Sequence, residues 1–169
     1  YTAKLRNGLF RNTGACMAPQ TAFYNLIGME TLGIRMERIC ENAMALARFL
    51  EQAPGITVNY PGLESSRWHG IATQQLTRGF GGILTIRVGS KERAFALMNA
   101  LSIPKIVSNI GDTKTLIIHP ESTLNAHSTE EEKTDAGVYD DLIRISVGIE
   151  DIEDLMEDFT HALQALDSE

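Results

Sequence analysis

The sequence predicts an α+β domain in which helices cover one face of a largely antiparallel sheet. Three observations carry this expectation. Apolar residues recur at helical spacing in a long early stretch and again at the end of the chain. Between them lie short runs rich in β-branched residues, bounded by Gly and Pro. Several links between those runs are too short for the crossover that a parallel pair needs.

Residues 1–19 show no regular period. Asn7-Gly8 and Asn12-Thr13-Gly14 are turn signals, and Pro19 suits a helix start. A single helix is expected from about Gln20 to Gln52, with Phe23, Leu26, Ile27, Met36, Ile39, Ala43, Leu46 and Leu50 on one stripe and Pro54-Gly55 as its stop. At ~1.5 Å per residue it would run nearly 50 Å, so it should bend at Gly28 or Gly33 or reach into a neighbouring domain. Ile56–Tyr60 reads as a strand, and residues 67–75 as a short helix. Gly79-Phe80-Gly81-Gly82 opens into a strand at Ile83–Val88. Ser90 caps a helix over 91–101, with Phe95, Met98 and Leu101 on its apolar face. Ile103–Val107 and Thr115–Ile118 read as further strands. Ser128 and Glu131 have the spacing of a capping box for a short helix that Gly137 ends. Leu142–Val147 is the last strand. Asp151 then caps a helix whose stripe is Ile152, Leu155, Met156, Phe159, Leu163 and Leu166.

The 169 residues suit one domain with a proper core. Twenty-two acidic residues against 15 basic give a net charge of −7, which argues against a nucleic-acid surface. No uncharged apolar run approaches the ~18 residues of a membrane span, and residues 1–6 lack the apolar stretch of a signal peptide. The sequence does not begin with Met, which suggests a piece of a longer chain. Cys16 and Cys40 cannot form a disulfide framework or a thiolate zinc site, and two reduced thiols fit a cytoplasmic protein.

Few residues invite chemistry. The Gly79–Gly82 run opens into a strand, not into the helix N-terminus of a phosphate loop, so close packing is the stronger reading. His69, His119, His127 and His161 show no zinc-site spacing. The acidic groups at 130–132 and at 150, 151, 153 and 154 sit where helices start and complement their dipoles. Arg144 is the exception. Strand alternation puts Ile143, Ile145 and Val147 on one face and Leu142, Arg144 and Ser146 on the other. A mid-strand guanidinium is either solvated or holds an anion, most naturally a carboxylate, and strand chemistry alone favours solvation.

Longer motifs add a resemblance. Gly28-Met29-Glu30-Thr31-Leu32-Gly33-Ile34-Arg35-Met36, Glu41-Asn42-Ala43, Asn59-Tyr60-Pro61-Gly62-Leu63 and Gly79-Phe80-Gly81-Gly82 are followed by Asn109-Ile110-Gly111-Asp112, Thr115–Pro120 and Leu142–Asp151. In this order they resemble the C-terminal part of the Cys/Met-metabolism family of pyridoxal-phosphate enzymes. The Asn109–Asp112 form is most similar to the sulfhydrylase branch that acts on O-acetylhomoserine. Ala18, Glu121 and Leu124-Asn125 depart from the family pattern, which more often has Ser, Ala and Thr-His there.

The resemblance implies the small C-terminal domain of a fold-type I enzyme, spanning 20–169, with 1–19 leading from a missing N-terminal cofactor domain. None of Lys4, Lys91, Lys105, Lys114 and Lys133 lies in the family's Ser-x-Thr-Lys motif. Pyridoxal 5'-phosphate would be bound by the missing domain, where it serves as an electron sink, and no catalytic residue falls in this chain. Arg144 would grip the α-carboxylate of a small amino-acid substrate, with Asn109 beside it. The implied activity is γ-replacement by a cytoplasmic homotetramer that contacts neither nucleic acid nor membrane. Cystathionine γ-synthase, cystathionine γ-lyase and methionine γ-lyase are alternatives within the family. A non-catalytic amino-acid-binding or assembly module is the alternative outside it.

Overall fold

A computed structural model of the chain describes residues 1–166, so the last residues of the expected 20–169 domain lie outside the described residues. The chain forms two compact units, Tyr1–Gly33 and a second from Ile34 onward.

The first unit is helical almost from its start. Thr2–Leu5 (α1), a π-helical turn at Arg6–Phe10 and Arg11–Thr13 (α2) end at Gly14, whose φ is 65°. The irregular pattern read for 1–19 is therefore corrected. Gly8 stays within the helical run, and Gly14 alone uses the left-handed freedom of glycine to stop it. Pro19–Glu30 (α3) begins with proline, whose missing N–H costs nothing there. Phe23, Leu26 and Ile27 of α3 are exposed, so this part of the expected stripe covers no core among the described residues.

The helix read as continuous over 20–52 is two helices. The break lies at Thr31 (φ −102°, ψ 4°), while Gly28 and Gly33 remain helical. Threonine has a lower helix propensity than the Met, Glu and Leu around it, so it gives up the helix more readily. Leu32–Glu51 (α4) then buries Ile39, Asn42, Ala43, Leu46, Ala47 and Leu50.

Five strands follow: Thr57–Asn59 (β1), Ile83–Arg87 (β2), Lys105–Ile106 (β3), Leu116–Ile118 (β4) and Leu142–Ser146 (β5). Their order in the sheet is β1-β2-β5-β4-β3. Every neighbouring pair is antiparallel except β3 with β4. That pair is parallel because residues 107–115 loop back beside the edge and reach the same end without a helix.

The remaining helices are His69–Gln75 (α5), Lys91–Ala100 (α6), Glu130–Asp135 (α7) and Ile152–Leu166 (α8). The core joins Leu84 and Ile86 of β2, Ile117 of β4, and Ile143 and Ile145 of β5 to Leu46 and Leu50 of α4, Leu97 of α6, and Leu155 and Phe159 of α8. Ser90 caps α6 as expected, accepting from the Arg93 amide. On α6 the buried residues are Ala94, Leu97 and Met98, while Phe95 turns outward and stacks on the His119 ring at 4.8 Å. The capping box of α7 is Thr129 with Glu132, one residue later than the pattern suggested. Asp151 accepts from the Glu153 amide at 3.0 Å and starts α8.

Phe159 has no exposed surface and belongs to the core that α8 shares with the sheet. Phe159→Ala should lower unfolding stability by ~3–5 kcal/mol in urea titration, whereas a loss below about 1 kcal/mol would show that the helix does not pack as described.

Candidate functional site

β5 is the central strand, paired with β2 on one side and β4 on the other. Its alternation sends Ile143 and Ile145 into the core, and Leu142, Arg144 and Ser146 to the face away from it. Thr85 and Ile118 are the cross-strand partners of Arg144. The side chain is partly buried. Its Nη2 donates to the carbonyls of Ser108 at 3.0 Å and Asn109 at 3.3 Å. Its Nε is buried and has no partner. A guanidinium carries five N–H donors and always its charge, so this one keeps donor capacity for an anion.

The carbonyls belong to the loop 107–112. Gly111 turns the loop with a φ of +76°, and its amide donates to Ser146 Oγ at 3.1 Å. Asp112 closes the loop by accepting from the Lys114 amide at 3.2 Å, which holds its carboxyl below the usual range. The structure thus brings together both residues singled out in the sequence. Asn109 meets Arg144 through its backbone carbonyl, and its side chain is exposed.

A buried polar network holds the end of β5. Asn42 Nδ2 donates to the carbonyls of Gly148 at 3.1 Å and Glu150 at 2.8 Å. The Glu150 carboxylate accepts from the Thr115 amide at 2.5 Å and the Thr115 hydroxyl at 2.9 Å. Gly148 N donates to Thr115 Oγ1 at 3.0 Å. Glu150 was expected to complement a helix dipole. It instead fastens the start of β4 to the turn after β5 through the Thr115 amide and hydroxyl. Tyr60 is fully buried and donates to Gly81 O at 2.8 Å; burial pushes its hydroxyl pKa up. Gly79 and Gly82 sit against Cys40 and Ile39 of α4, where a Cβ would collide, so the glycine run packs closely, as its sequence context suggested.

His119 is also structural. Asp140 O lies 2.7 Å from its Nε2 and can only accept, so Nε2 carries the proton and Nδ1 accepts from Ser122 Oγ at 2.8 Å. Glu121 bridges Lys91 at 2.9 Å and Lys133 at 2.6 Å, and Lys133 also meets Glu130 at 2.9 Å. The Lys133 hydrogen bond, and then that of Lys91, brings the Glu121 carboxyl down to about 2.

The described residues do not build a pyridoxal-phosphate site. Such a site needs a free lysine amine beside an anion cradle. Lys91 and Lys133 are committed to Glu121, Lys105 Nζ donates to Ser102 O, and Lys4 and Lys114 are exposed. Among the described residues, no helix is long and apolar enough to cross a membrane.

This fold is shared with part of a solved fold-type I pyridoxal-phosphate enzyme. A Campylobacter jejuni protein described as an O-acetylhomoserine (thiol)-lyase, solved with a pyridoxyl-lysine phosphate, superposes with a TM-score of 0.90 at 34% identity, over 96% of this chain and 39% of that one. The chain belongs to the Cys/Met metabolism PLP-dependent enzyme family, whose model matches residues 2–164. A homocysteine synthase of Schizosaccharomyces pombe is 42% identical over 97% of this chain and 39% of its own length. An L-methionine gamma-lyase of Fusobacterium nucleatum is 41% identical over 94% of this chain and 40% of its own length. The chain therefore spans about two fifths of the length of these relatives.

The low folded-state pKa of Glu121 gives a testable pH dependence. Its contribution should be complete above the ordinary value of 4.5 and disappear as pH falls towards 2. Glu121→Gln should melt below wild type at neutral pH, with the two melting temperatures converging near pH 2. A constant gap across that range would remove the carboxylate from the account.

Proposed function

We propose that this chain carries the substrate α-carboxylate anchor of a pyridoxal-phosphate-dependent sulfhydrylase that makes homocysteine or methionine from O-acetylhomoserine and sulfide or a thiol. The observation that carries the reading is Arg144: a charged, partly buried fork on the sheet face away from the helices, braced by loop carbonyls, with a buried donor left unpartnered. An unmade bond at a buried donor is costly, and a carboxylate is the natural acceptor for a planar guanidinium. The similarity to a homocysteine synthase and the Asn109-Ile110-Gly111-Asp112 sequence support the sulfhydrylase branch.

In this reading the cofactor and its lysine are held by another part of the protein, and the exposed apolar residues of α3 pack within a homotetramer. The work of this chain is recognition. Arg144 binds the carboxylate, and the loop carbonyls of Ser108 and Asn109 keep the guanidinium from swinging. A fixed carboxylate orients the α C–H bond for proton transfer, which is a positioning contribution.

The test is steady-state kinetics on the complete enzyme. A charge-assisted bond of ~1.5–3 kcal/mol corresponds to a loss of roughly 10- to 150-fold in kcat/KM for Arg144→Ala. Arg144→Lys should not restore it, because an ammonium lacks the fork. The cofactor absorbance of both variants should match wild type. Near-normal kcat/KM in both would leave Arg144 as a clamp for its loop and nothing more.

A further inference from the structure

We infer that Ser146 is a positioning residue for Arg144, holding the 107–112 loop at the height where its carbonyls fix the guanidinium. The inference rests on the reading of Arg144 as the carboxylate anchor.

Ser146 is almost wholly buried, at 2% exposure, at the C-terminal end of the central strand. Its cross-strand partners are Ile83 and Leu116, both apolar. A hydroxyl is a poor choice for packing there and needs a hydrogen bond to be tolerated. Gly111 supplies it, through an amide 3.1 Å from Ser146 Oγ. Ser146 and Arg144 are two residues apart on one strand, so both side chains leave the same face. β5 therefore grips one loop at two points: Arg144 at the carbonyls of Ser108 and Asn109, and Ser146 at the amide of Gly111.

The two grips differ in kind. Arg144 is a long side chain that can follow a moving loop. Ser146 is short, and its reach to Gly111 exists only with the loop seated. Gly111 lies where the chain reverses with a φ of +76°, so a bond at that amide decides where residues 108 and 109 fall. Without the Ser146 hydroxyl, the loop and guanidinium would drift together. The substrate carboxylate would then meet an arginine of unchanged charge and lost orientation.

The experiment is a double-mutant cycle in the complete, cofactor-loaded enzyme. Ser146→Ala should raise the amino-acid KM by roughly 2- to 10-fold, the range of one net hydrogen bond, with a smaller change in kcat. L-norleucine should lose inhibition by the same factor, and n-pentylamine, which lacks the carboxylate, should inhibit as in wild type. Amide exchange in residues 108–111 should quicken. Ser146→Thr, which keeps the hydroxyl, should recover norleucine binding. In an Arg144→Ala background, Ser146→Ala should add nothing. Additive losses, or an equal loss of pentylamine binding, would overturn the inference by showing a general loss of structure. If Arg144→Ala impairs the enzyme and Ser146→Ala does not, the positioning role falls and the anchor stands. If Arg144→Ala is itself silent, the anchor reading falls and takes the inference with it.

Discussion

The register of β5 is the constraint on which the rest depends. The strand is paired on both sides, so its place is set by β2 and β4 together. Ile143 and Ile145 are fully buried against the helices, and Arg144 lies between them on the other face. A slip of one residue would drive the guanidinium into the core and turn both isoleucines to the opposite face. The burial that stabilises the domain is thus the same feature that presents its charged group. Antiparallel pairing on both flanks makes the presentation rigid, which a loop-borne arginine could not match.

The far end of that strand is fastened by polar groups. Asn42 reaches across from α4 to the carbonyls of Gly148 and Glu150, and Glu150 reaches back to Thr115 beside β4. These groups are well paired, which is what lets them lie inside the fold. They tie the turn after β5 to one helix and one strand. Apolar packing sets which face of the strand is buried. The directional bonds add a fixed position for the turn that follows the strand.

Alternation along β5 and the stripe of α8 were legible because each follows from a period, although in β5 Leu142 and Ser146 on the second face are buried as well. Arg144 was legible as a polar residue between core residues, and Asn109 only through the motif that contains it. Ser146 was visible on the same face, yet nothing local said that it meets Gly111, because that contact joins residues 35 positions apart. The roles of Glu121 and Glu150 were hidden for the same reason: acidic residues near a helix start look alike until their distant partners are known. The Thr31 break was not legible from composition, since Gly28 and Gly33, the residues of greatest backbone freedom nearby, both stay helical. The parallel β3–β4 pair shows the limit of a rule about link length, since a loop can travel along a sheet edge with no helix in it.

The brace around Arg144 also explains why a loop of this composition suits its place. Backbone carbonyls are weaker acceptors than a carboxylate side chain. They can hold a guanidinium without neutralising it, so its charge stays available to a ligand. An acidic side chain in their place would neutralise the same fork. Asp112, the one carboxylate in the loop, is instead committed to Thr113 and the Lys114 amide. The loop thus orients the arginine through dipoles and keeps its full charge aimed away from the core.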